Sequence, residues 1–177
     1  VTRELAPLKA LKGVPNDSGF YHGRIIQWAK DVDHRRVLFA GETKATGAMV
    51  GEEIGASLVS TVALTDADHV WDFNEEAPCS LQQEQSDLVI TQAILEHILN
   101  PYSFMENLAA LIVPGGHLIT HTVMPGFPLH RFPIDTLRYL PDWFEAIAQP
   151  FDLEVVDSVT EGAHLFFLYR RRSCPTQ

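Results

Sequence analysis

The sequence predicts an α/β fold: a mostly parallel sheet with helices on both faces, closed by an antiparallel hairpin. Three observations predict it. Compact apolar runs at residues 36–40 and 88–91 stop abruptly at glycine or polar residues, the habit of parallel strands buried on both faces. Stretches with apolar residues at helical spacing lie between such runs, an alternation that builds a three-layer sandwich. Two β-rich runs at the C-terminal end are joined by a tight Glu161-Gly162 turn.

Residues 1–19 form an N-terminal arm ending in the loop-forming cluster Gly13, Pro15, Asn16, Asp17, Ser18 and Gly19, and residues 20–177 form a single domain. Phe20, Ile25, Ile26 and Trp28 fall at mostly helical spacing, which places a helix over residues 20–30 on the sheet edge, with Tyr21 and His22 lining whatever lies above it. Residues 36–40 make strand one, ended by Gly41. Residues 46–54 make a crossover helix in which Gly47 and Gly51 each cost about 1 kcal/mol relative to Ala. Strand two covers 58–64 and a short strand three 67–73, followed by a polar loop over 74–85 and strand four over 88–91.

Asn100 suits the N-cap of the next helix, with Pro101 at its first position and Phe104, Leu108, Leu111 and Ile112 recurring at helical spacing until Gly115-Gly116 stops it. Strand five covers 117–123. The loop over 124–133 contains Pro125, Gly126, Pro128 and Pro133, too many breakers for regular structure, and a loop this long inside a compact domain is usually functional. A short helix over 141–148 precedes the hairpin strands at 153–159 and 163–169.

Composition narrows the function. Thirteen basic against twenty-three acidic residues give a formal charge of −10, which opposes binding to nucleic acid or an anionic membrane. No apolar run approaches the roughly 20 residues of a membrane span. Cys79 and Cys174 stand far apart without a CxxC neighbour, so neither disulfides nor a zinc site is expected, and a reducing cytoplasm fits best. His117 and His121 are separated by about 13 Å along a strand and cannot share a metal, and His130 with Asp135 supplies too few ligands, so no metal site is expected.

Three motifs carry a resemblance. Residues 87–91 lead directly into Gln92-Ala93-Ile94-Leu95-Glu96-His97, a Pro114-Gly115-Gly116 turn precedes strand five, and Pro133-Ile134-Asp135 with Leu137-Arg138-Tyr139 follows it. This resembles the class I S-adenosylmethionine-dependent methyltransferases, in particular a type 11 subgroup often found beside sugar-modifying enzymes. The resemblance covers roughly residues 34–170. It implies a Rossmann-like, seven-stranded sheet with the last strand antiparallel, S-adenosyl-L-methionine as cofactor, and methylation, more readily on oxygen, of a small-molecule or sugar-derived acceptor. A homodimer is compatible with it. The first motif departs from the pattern, with Phe39 in the usual acidic place and only Gly41 and Gly47 as glycines, which leaves a non-catalytic binding or regulatory module as the alternative. The same stretch fails GxGxxG, disfavouring a nicotinamide cofactor.

Ligands in such sheets sit beyond the carboxyl ends of the strands. On the cofactor side, Gly41 either admits a close backbone approach or only ends its strand, and Glu42 either faces the methionine ammonium or is a solvated charge. By resemblance Asp66 takes the ribose hydroxyls and Asp72 with Phe73 the adenine; Asp66 also reads as a turn residue. The same resemblance implies that Thr91 and Gln92, at the end of strand four, border the sulfonium. On the acceptor side, His130, Asp135 and His121 are the acid–base candidates, with His130 as general base or a substrate-shaping residue. His97, Arg138, Tyr139 and Tyr21 are the substrate-binding candidates. Glu96-His97 either orients its loop or takes part in catalysis, and Arg138 either binds an acidic substrate or pairs with Asp135.

Overall fold

The computed structural model describes residues 22–131 and 134–173. The arm, Phe20, Tyr21, Pro133 and Cys174 lie outside the described residues. The elements run in the order α1 (Gly23–Asp31), β1 (Arg36–Ala40), α2 (Lys44–Ile54), β2 (Leu58–Ala63), β3 (His69–Val70), α3 (Cys79–Gln82), β4 (Ser86–Gln92), a 3₁₀ turn (Leu95–His97), α4 (Pro101–Ala110), β5 (Ile112–Val123), α5 (Pro141–Ala148), β6 (Leu153–Glu161) and β7 (His164–Arg171). They build one seven-stranded sheet in the order β3-β2-β1-β4-β5-β7-β6. The pairs from β3 to β5 are parallel, and β7 is antiparallel to both β5 and β6. The mostly parallel, three-layer α/β architecture is thus observed, hairpin included.

Alternation along the strands divides the core into two layers. Val37 and Phe39 of β1 with Leu88 and Ile90 of β4 face Ile25 and Trp28 of α1 and Val50 and Ile54 of α2. Leu38, Ala40 and Val89 face the opposite way, onto Phe104 and Leu108 of α4 and Phe144 and Ile147 of α5. Because β2 and β3 lie to one side of β1 while β5 lies beyond β4, the chain reverses its winding between β1 and β4. The register Ala40↔Thr91 marks the carboxyl end of that switch point.

Four expectations are corrected. Gly47 and Gly51 do not mark a weak helix: a β-carbon on Gly47 would meet Thr61 Cγ2 at 2.3 Å and one on Gly51 would meet Val59 Cγ2 at 2.4 Å. Their bareness lets α2 lie close on β2, and Thr43 caps the helix by accepting from the Thr46 amide at 3.2 Å. The third strand shrinks to two residues, because Asp68 turns back to accept from the Thr61 amide and hydroxyl, each at 3.0 Å. The loop over 74–85 contains the turn of helix α3. Gly115-Gly116 does not stop α4, which ends at Ala110; both glycines lie inside β5, where Gly116 comes so close to β4 that a β-carbon would stand 2.7 Å from the Asp87 carbonyl oxygen.

Candidate active site

At the switch point, Gly41 adopts φ +103°, a left-handed conformation that favours glycine. Its amide donates to the Val62 carbonyl at 2.7 Å, tying the turn after β1 to the end of β2. Across from it β4 ends, and Ala93 takes φ +53° while donating to the His121 carbonyl at 3.0 Å. That kink brings Ile94 over Gly41, with Ile94 Cδ1 only 2.3 Å from where a β-carbon would stand. Glu42 is half-buried beside this turn. Thr91 is fully buried with no hydrogen-bond partner for its hydroxyl among the described residues, and Gln92 Oε1 accepts from the His22 amide at 3.0 Å.

The other cofactor-side candidates are spread along the rim. Asp66 is exposed at φ +54°, and its carbonyl accepts from the Lys44 amide at 2.9 Å, which fastens its turn to the loop after Gly41. Asp72 folds back on its own loop, accepting from the Asn74 amide at 3.0 Å and side-chain amide at 3.2 Å. Phe73 turns inward, its ring packed 4.8 Å from both Trp71 and Phe104, so its side chain serves the core.

Beyond β4 and β5 the acceptor-side residues converge. Glu96, carried on the 3₁₀ turn, is fully buried; its Oε2 accepts from the Thr122 hydroxyl at 2.9 Å. Its Oε1 stands 3.4 Å from His130 Nε2 and 4.0 Å from His97 Nε2, close enough for charge pairing but without an aligned hydrogen bond. The ion pair with Glu96 raises the His130 pKa against the opposing effect of burial. His97 Nδ1 bonds the Ile134 carbonyl.

The segment that follows β5 is laced onto this turn. Thr136 donates from its amide (2.8 Å) and hydroxyl (3.0 Å) to the Glu96 carbonyl. Arg138 pairs with the buried Asp135 carboxylate through both guanidinium nitrogens and also donates to the Phe127, Pro128 and Leu137 carbonyls. Burial alone would push Asp135 up, but Arg138 and the His130 amide at 2.7 Å outweigh it and hold the carboxyl below its usual value. Arg138 is thus a clamp within the loop. Tyr139 is buried, and its hydroxyl donates to the Leu95 carbonyl at 2.9 Å, so it anchors the loop rather than facing a substrate.

A second cluster adjoins the first. His121 Nε2 and His164 Nδ1 lie 3.0 Å apart, and the His22 ring packs with its centroid 4.5 Å from His121 and 4.7 Å from His164. Burial depresses the pKa of all three, furthest for His121, so these imidazoles are neutral near neutral pH. His164 was not singled out in the sequence. The signal was the hairpin register, in which β7 starts opposite the end of β5 as His164↔Val123. The surface grooves beside Arg171 lie at the opposite end of the sheet and hold none of these residues.

No protein-family model matches the sequence, and no curated protein does. Solved structures do. The chain is similar to an O-methyltransferase family protein from Burkholderia thailandensis at 13% identity and a TM-score of 0.63, covering 85% of this chain but only 56% of that one. It is similar to an S-adenosylmethionine-dependent methyltransferase from Mesorhizobium loti at 14% identity and a TM-score of 0.65, covering 84% and 96% of the two chains. It is also similar to the [4+2]-cyclase SpnF at 11% identity and a TM-score of 0.65, covering 85% and 81%. The fold is therefore that of the class I methyltransferases. A cyclase on the same scaffold shows that the fold alone does not set the reaction. Among the described residues no helix is long and apolar enough to cross a membrane.

Proposed function

We propose that this chain carries an S-adenosylmethionine-dependent methyltransferase site acting on a hydroxyl of a small-molecule or sugar-derived acceptor. The observation that carries the reading is the adjacency of two sets of groups at the switch point: Gly41, Thr91 and Gln92 on the cofactor side, and a buried carboxylate with five imidazoles on the acceptor side. The donor set fits the cofactor. Gly41 permits a close backbone approach, the exposed Asp66 offers a carboxylate for ribose hydroxyls, and the buried Thr91 hydroxyl has no hydrogen-bond partner among the described residues. Ile94 has to rotate away from Gly41, and it is only half-buried.

When bound, the cofactor supplies a methyl carbon activated by an adjacent sulfonium. The protein's part is to hold the acceptor oxygen in line with that carbon and to take its proton. His130, whose pKa the adjacent Glu96 raises, is better suited to hold the acceptor than to deprotonate it. The half-buried His164, its pKa lowered by burial and its ring backed by His121, is the better base to take the acceptor hydroxyl's proton, while the bound cofactor would supply the methyl carbon and a sulfide leaving group. Asp135, paired with Arg138 and accepting from the His130 amide, fixes the loop that carries His130.

The position of Ile94 over Gly41 favours the second reading, a binding module that has closed its cofactor cavity. Calorimetric titration with S-adenosylmethionine, S-adenosylhomocysteine and NAD separates them. Binding of the first two supports the enzyme, binding of NAD alone replaces it with a redox function, and no binding leaves the module.

A further inference from the structure

Glu96, His97 and His130 each present one donor atom, and the three atoms lie within 4.8 Å of one another. We propose that Glu96 Oε1, His97 Nε2 and His130 Nε2 bind a first-row divalent transition-metal cation. The separations suit such an ion. A tetrahedral centre with bonds of 2.0–2.2 Å spaces its donors about 3.4 Å apart. Glu96 Oε1 and His130 Nε2 already stand at 3.4 Å, and the wider 4.0 Å to His97 closes through side-chain torsions.

Each donor is also held from behind. Thr122 Oγ1 occupies the other carboxylate oxygen of Glu96, the Ile134 carbonyl takes Nδ1 of His97, and the Pro128 carbonyl at 3.4 Å with Asp135 Oδ2 at 3.5 Å takes Nδ1 of His130. An imidazole whose Nδ1–H is bonded to a carbonyl presents its Nε2 lone pair forward, the arrangement that supports metal-ligating histidines. The ligand-seeking group is Glu96 itself: Oε1 is buried without an aligned donor, a costly state for a carboxylate oxygen that a cation relieves. Two imidazoles and one carboxylate favour zinc, iron or cobalt over magnesium or calcium.

The neighbouring trio of His22, His121 and His164 is a weaker site. His121 Nε2 and His164 Nδ1 already pair with each other, and among the described residues His121 Nδ1 has no hydrogen-bond partner. With three protein ligands in place, a fourth position would be left for water or the acceptor's oxygen. That last role rests on the methyltransferase reading; metal binding does not.

The test is titration of the full chain, freed of metal by a chelator and with no other ligand added, with Co²⁺ followed by its visible d–d absorption and then by displacement with Zn²⁺. Saturable binding of one equivalent is expected. Glu96→Gln and His97→Asn should each weaken it by about 100-fold or more, and Thr122→Val, which only removes support behind the carboxylate, by about 10–100-fold. His22→Asn should leave it unchanged. Absence of a cobalt spectrum in the wild type overturns the site, and so does binding that survives His97→Asn but is lost in His22→Asn. Cobalt binding in a protein that binds no S-adenosylhomocysteine would uphold the site while removing the methyltransferase reading.

Discussion

Ile94 lies directly on Gly41, its Cδ1 2.3 Å from the position a β-carbon would take. The contact joins the turn after β1 to the kink after β4 across the switch point, so the same glycine that would admit a cofactor now admits a side chain. Truncation of Ile94 separates the two uses. Ile94→Ala should raise affinity for S-adenosylhomocysteine by several-fold, since no side chain then has to leave Gly41 on binding, while lowering stability by about 2 kcal/mol. Calorimetry and chemical denaturation of the variant read both.

Asp66 is exposed at the end of β2, so its removal should leave the fold intact. Asp66→Ala should weaken S-adenosylhomocysteine binding by about 1–3 kcal/mol, the scale of a charged hydrogen bond. Unchanged affinity in the same calorimetric titration would take Asp66 out of the site.

Arg138 neutralises a carboxylate that has no exposure. Arg138→Ala should cost about 1–3 kcal/mol of stability, because it removes the charged hydrogen bonds of a buried carboxylate that keeps only its His130 contacts. Arg138→Lys should recover only part of that loss, since an ammonium cannot reproduce the two-pronged contact. Denaturant midpoints of the two variants give the comparison.

Stability should fall as the solution is acidified below about pH 6.5. His22, His117, His121 and His164 all have pKa values lowered in the folded protein, chiefly by burial, so the unfolded chain binds protons first. Their contribution is complete above the unfolded value of 6.5 and is lost as pH falls towards the folded values. His130, shifted upward, acts in the opposite sense but alone. Melting temperatures across this range should show the decline, and His121→Phe should flatten it.

Much of the fold was legible because strands buried on both faces leave unbroken apolar runs. β1 and α5 fall on the residues that the pattern marks, and Asn100 caps α4 as its residue type suggests, accepting from the Ser103 amide at 3.3 Å. What was not legible depends on neighbours distant in sequence. Gly47 and Gly51 read only as weakening their helix until Thr61 and Val59 are seen packed against them, and Gly115-Gly116 reads as a helix stop until Asp87 is seen beside it. The site divides the same way. Glu96, His97, His130 and Asp135, singled out from two separate motifs, lie in one cluster, while the grouping of His22 and His164 with His121 comes from the register of β5 with β7 and the placement of α1.

The most direct measurement is a crystal structure of the protein grown with saturating S-adenosylhomocysteine. The ligand is expected above the carboxyl ends of β1 and β4, with its ribose on Asp66 and Ile94 turned off Gly41. A structure in which Ile94 keeps its seat on Gly41 and no ligand occupies that end of the sheet would contradict it.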